Sequence, residues 1–114
     1  MALFEIEALD PVPSAAARQF HAHYLPLIQA DLLAQPESLV ILFPPADHTH
    51  IAWRLAAIQA LARESVPARV NAIAGGGGQA QLAAVRYLEA AAGVTGQYLP
   101  LDAAGAAVVV SASK

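Results

Sequence analysis

The sequence predicts an α/β fold, a mostly parallel sheet with helices on both faces and edge strands at either terminus. Three observations predict it. The run Ser38-Leu-Val-Ile-Leu-Phe43 is apolar without alternation, as in a strand covered on both faces. The stretch Arg69-Val-Asn-Ala-Ile-Ala-Gly75 reads as a second buried strand, and it runs into Gly75 to Gly78 and then into a helical pattern from Gln79. Segments of helical periodicity alternate with these strands, which is the order that α/β proteins use.

Each element has its own signature. Phe4 and Ile6 alternate with Glu5 and Glu7, which predicts a short edge strand with one wet face, ended by Asp10-Pro11-Val12-Pro13. Glu5 and Glu7 belong to that wet face rather than to a catalytic pair. Ser14 is a candidate N-cap for a helix running to about Gln35, with Phe20, Tyr24, Leu27, Ile28 and Leu32 at helical spacing and Pro36 beyond its end. Pro26 falls inside this pattern and predicts a bend, because it removes a backbone donor and crowds the preceding turn. After the central strand, Pro44-Pro45 is a stop, and Asp47 or Thr49 can cap a helix over 51–64. That helix places Ile51, Leu55, Ile58, Leu61 and Ala62 on one face.

A third helix spans 79–92, with Leu82, Val85 and Leu88 inward, Arg86 and Glu89 outward, and Gly93 placed to end it. Tyr98-Leu-Pro-Leu101 predicts a short strand whose Pro100 suits an edge or an end. A last strand is expected over 106–111, around Val108-Val109-Val110.

Composition bounds the function. At 114 residues, 57% hydrophobic and 13% charged, the chain supports one domain over 1–114 and leaves little polar surface to cover it. The net charge of −3, with basic residues scattered, speaks against a nucleic-acid partner. There is no cysteine, hence no disulfide, thiol nucleophile or cysteine zinc site. No apolar run reaches the length of a membrane span, and the first residues carry acids where a signal peptide carries bases, so a cytoplasmic protein is expected.

The segments Ala60-Leu-Ala-Arg-Glu64, Arg69-Val-Asn-Ala-Ile-Ala-Gly75 and Val94-Thr-Gly-Gln97 with Leu101-Asp102 occur in the order found in the C-terminal half of short-chain dehydrogenases/reductases, which the chain resembles. The resemblance implies a truncated, three-layer, Rossmann-like domain in which Arg69 to Gly75 is the sixth strand. It also implies a subunit contact through the helices over 14–35 and 51–64, hence a homodimer. The family's Tyr and Lys fall on Asp47 and Ile51, its serine near Phe43 or Pro44, and its asparagine near His21 to His23. Neither Asp47 nor Ile51 can supply that acid and cation. The dinucleotide-binding half has no counterpart, so no cofactor is expected unless another chain contributes that half.

Other residues invite chemistry. Gly75, Gly76, Gly77 and Gly78 follow a strand and open a helix, an order that can bind an anion through backbone N–H groups, but the glycine-rich dinucleotide fingerprint is missing. A shortened connection is the simpler reading. His21 and His23, and His48 and His50 beside Asp47, are candidate metal ligands, since imidazole with carboxylate suits zinc. Residues two apart on a regular helix point about opposite ways, which argues against His21 with His23. Trp53 and Arg54 suit either a partner contact or, for Trp53, the core. The expected function is a non-catalytic scaffold or interaction protein derived from a dehydrogenase. The alternatives are an oxidoreductase subunit completed by another chain, a metal-dependent enzyme using the paired histidines, and a small-ligand module at the glycine loop.

Overall fold

The computed structural model describes residues 1–101. Four strands, β1 (Ala2–Glu5), β2 (Ser38–Phe43), β3 (Arg69–Gly75) and β4 (Tyr98–Leu101), form an all-parallel sheet in the order β1-β2-β3-β4. β2 and β3 are paired along the whole of β2, from Ser38 with Arg69 to Phe43 with Ala74. These two central strands are buried almost throughout, in keeping with their unbroken apolar runs. β1 alternates as its sequence predicts, with Ala2 and Phe4 turned to the packed side and Leu3 and Glu5 exposed. The expected strand over 106–111 lies outside the described residues.

Two apolar layers flank the sheet. On one face Leu39, Ile41, Phe43, Val70, Ala72 and Ala74 meet Phe20, just after α1 (Pro13–Gln19), Ile28 of α2 (Leu25–Leu32), and Ile58 and Leu61 of α3 (Ile51–Glu64). On the other face Val40 and Ile73 meet Val85 and Leu88 of α4 (Gly78–Ala90). The strands advance in one direction while the last connecting helix changes face, so the β3–β4 crossover has the opposite hand to the other two. Parallel crossovers are almost always right-handed, which makes β3-α4-β4 the left-handed exception.

Local departures from the sequence pattern have physical causes. The first helix opens at Pro13 rather than being capped by Ser14; Val12 occupies the cap position and makes no side-chain cap. Proline at the first helical position is preorganised, and its missing donor would be unpaired there anyway. The bend expected at Pro26 takes the form of a wide π turn over Phe20–Tyr24, in which Leu25 N–H reaches back five residues to Phe20 O. Pro26 thereby falls in the first turn of α2, where a proline does least harm. α2 ends at Leu32, short of Gln35, which takes a left-handed φ of 56°.

α3 has the predicted bounds, preceded by a 3₁₀ turn at His48–His50. α4 runs from Gly78 to Ala90 rather than over 79–92, and Ala91, not Gly93, takes the cap position. Leu82, expected inward, is 48% exposed. It lies in the part of α4 nearest the glycine loop, before the turns that reach Val40 and Ile73. No helix of the described residues is long and apolar enough to cross a membrane.

Candidate functional site

The C-terminal ends of the strands, where open α/β sheets hold their ligands, receive three turns of this chain. The first follows β1 from Ile6 to Val12. Within it the Asp10 carboxylate accepts from Val12 N–H at 2.8 Å, and Asp10 N–H donates to the Gln19 side chain at 2.9 Å. The second runs from Pro44 to His50. Its Asp47 carboxylate accepts from both the backbone N–H (2.9 Å) and the hydroxyl of Thr49, fixing the start of the turn into α3. Those bonds hold the Asp47 carboxyl below its ordinary value, the Thr49 hydroxyl first, then the Thr49 N–H, with a smaller contribution from His50 and His48.

His50 is 4% exposed and both of its ring nitrogens are engaged. Trp53 Nε1–H donates to Nδ1 at 3.1 Å, so the proton sits on Nε2, which donates to Pro11 O at 3.0 Å. The imidazole therefore ties α3 to the loop after β1. His48 is exposed, and so are His21 and His23 on the π turn, where His21 Nδ1 bonds Ala17 O at 2.7 Å. Among the described residues no three His, Asp or Glu side chains come together as a metal-binding group.

Arg54 does not make the partner contact that its residue type suggests: the side chain is 1% exposed. Position four of α3 faces the sheet, so the guanidinium is driven inward with the helix. Its Nη1 donates to Pro44 O (2.9 Å) and to the Tyr98 hydroxyl (3.1 Å), and its carbon lies 4.5 Å from the centre of the Phe43 ring. Trp53 and Tyr98 stand at 5.7 and 6.0 Å. Nε has no partner among the described residues. Trp53 is half-buried between Phe20, Phe43 and His50, packed on the core. A signal for Arg54 did exist: Ile51, Ile58 and Leu61 define the inward stripe, and a residue three after Ile51 and four before Ile58 belongs to it.

The third turn is Gly75 to Gly78, with φ of 68°, 82°, 56° and 48°. Gly76 is the critical member, since a Cβ there would stand 2.6 Å from Leu101 Cδ1 and 3.0 Å from Leu101 Cβ. Gly75 and Gly76 lie against Pro45 and Leu101, so half of this turn is packed rather than open to a ligand, while a Cβ at Gly77 or Gly78 would meet nothing within 4 Å among the described residues. No glycine follows β1 or β2 in the described turns. The residues present therefore do not fit the pyrophosphate of a dinucleotide at those strand ends.

The motifs after β3 serve one another. Asn71, buried, donates to Val94 O and accepts from Gln97 N–H, both at 3.0 Å. Val70 N–H donates to the Thr95 hydroxyl at 3.0 Å, and Gly96 N–H to Val70 O at 2.7 Å. Arg69 donates to Leu88 O, Ala91 O and Glu89 O at the end of α4, where a cation also favours the helix dipole. Arg69-Val-Asn71 and Val94-Thr-Gly-Gln97 thus clamp α4 and β4 onto β3.

A family model described as short chain dehydrogenase-like protein matches residues 4–101. No curated protein and no solved structure matches the chain. The family match begins within β1 and covers β2, β3 and β4 in full, and the chain belongs to the short chain dehydrogenase-like family.

Proposed function

We propose that this member of the short chain dehydrogenase-like family is a non-catalytic scaffold or interaction protein that acts as a homodimer. One observation carries the non-catalytic reading: the residues at the positions of the family's acid and cation, with His50 beside them, serve the fold. The two positions that answer to the family's acid and cation are Asp47, which caps the turn into α3, and the aliphatic Ile51. His50 gives both ring nitrogens to Trp53 and Pro11. General acid–base chemistry needs a group within reach of substrate with a proton to give or take, and none of these offers one.

The dimer reading is supported by what α1, α2 and α3 leave uncovered. Leu27 and Leu33 project from the α2 region, Leu33 being 83% exposed, and Val66 just beyond α3 is 73% exposed. Ala52 and Ala56 are exposed on α3, small enough to let another helix approach closely. A groove of about 900 Å³ between the ends of α2 and α3, lined by Leu32, Leu33, Leu61 and Val66, runs into the same surface. Burying a large aliphatic side chain contributes about 1.5–3 kcal/mol, so this surface favours association.

Sedimentation velocity at micromolar concentration is expected to show a dimer that Leu27→Glu shifts towards monomer, together with no heat of nicotinamide dinucleotide binding in calorimetry. A clearly monomeric wild-type protein would overturn the dimer, and saturable dinucleotide binding would overturn the non-catalytic reading. A second reading, a subunit completed by a nucleotide-binding chain, is favoured by β1, which pairs on one side only among the described residues and leaves Leu3 exposed. Co-purification with such a chain would support it over the homodimer.

A further inference from the structure

We propose that the cleft between the loops after β1 and β2 binds a small aminocarboxylate, its carboxylate against Arg54 and its ammonium towards Glu7, Asp10 and Asp47. The cleft has a volume of about 330 Å³ and is walled by apolar residues, among them Leu9 and Pro45, with Arg54 in its lining. That is the scale of a small-molecule site with a few placed polar groups.

The argument starts from Arg54. A guanidinium stays charged at any physiological pH, and this one is removed from water with only neutral acceptors, Pro44 O and the Tyr98 hydroxyl, on Nη1. Its buried Nε donates to nothing among the described residues. Among the described residues no carboxylate makes a hydrogen bond to it. The Phe43, Trp53 and Tyr98 rings offset part of the lost hydration, but a ring face cannot accept the Nε–H as an anion does. A buried cation lacking a counter-charge is destabilising unless something supplies one.

The exposed part of the lining has the opposite sign. Glu7, Asp10 and Asp47 line the cleft and are exposed. Asp10 and Asp47 each commit one carboxylate oxygen to a backbone N–H, which fixes their position without removing their charge. A simple anion would be repelled on entry, whereas an ammonium would be attracted. A buried cation and exposed acids in one lining select a molecule carrying both charges on a short apolar stem. The inference holds whether or not the chain dimerises.

Thermal melting with 4-aminobutyrate tests it, with butyrate and butylamine as single-charge controls at matched ionic strength. The expected result is a rise in Tm of about 5 °C at roughly ten times the Kd, larger than with either control and lost in Arg54→Met. Should Arg54→Met not fold, Ala46→Trp narrows the cleft from its exposed loop with Arg54 intact, and it too should abolish the rise. No rise in the wild type, an equal rise with butyrate, or a rise that survives in Ala46→Trp would each overturn the proposal.

Discussion

Two turns at the same end of the sheet lead from a central strand into a helix, and they are built on opposite principles. The β2–α3 turn is held by side chains: Asp47 grips Thr49, His50 bridges Pro11 and Trp53, and the Pro44 carbonyl is taken by Arg54. The β3–α4 turn has glycine at each of its four positions, all with positive φ, and α4 begins without a side-chain cap. A turn made by side chains loses its contacts one at a time. A turn made by absent side chains fails at the first one added.

The largest effect is therefore expected from Gly76→Val. Left-handed backbone disfavours a Cβ by about 1–2 kcal/mol, and crowding against Leu101 adds roughly 1–3 kcal/mol, as overpacking does elsewhere. Urea unfolding should register a loss of about 2–5 kcal/mol. A variant within about 0.5 kcal/mol of wild type, the range of ordinary surface changes, would mean that this turn tolerates side chains and the contrast is false.

His50→Ala should come next, at about 1–3 kcal/mol, the range for leaving buried groups without partners. The Trp53 indole N–H and Pro11 carbonyl each lose theirs. Indole fluorescence would follow the change, because Trp53 lies against the altered site. If His50→Ala and wild type unfold at the same denaturant concentration, the side-chain turn is held by its prolines and by Asp47 rather than by the imidazole.

The same contrast decides how much could be read in the sequence. The central strands and α3 were legible because their patterns are dense: Ser38 to Phe43 has no alternation to confuse it, and α3 repeats its stripe four times over. Pro26 announced a disturbance but not its form, since a lost donor can be accommodated by a kink or by one widened turn, and only packing around Phe20 and Ile28 chooses between them. The glycine turn was recognisable as a turn, and its packing on Leu101 was not, because that contact joins residues far apart in the chain. Of the candidate site, the position of Asp47 as a cap was legible from local spacing. The inward position of Arg54 was legible from the stripe of Ile51, Ile58 and Leu61, but its partners and the fate of His50 were not: each depends on rings and carbonyls from two or three other elements, and both residue types are more often found at the surface.

Asp47→Ala gives the smallest effect, and its pH dependence makes the comparison sharpest. The folded protein holds this carboxyl below its ordinary value of 3.8, chiefly through the Thr49 hydroxyl. A lowered carboxyl contributes stability that is fully present above the ordinary value and is lost as pH falls through the folded one. The Tm difference between wild type and Asp47→Ala should thus be constant from neutral pH down to about that value and shrink below it. Thr49→Val, which removes the largest cause of the shift, should move the loss to higher pH. The Gly76→Val deficit has no titrating group behind it and should show no step in this range. A difference between wild type and Asp47→Ala that persists unchanged into strong acid would assign the cap to Thr49 and the neighbouring backbone instead of to the Asp47 carboxylate.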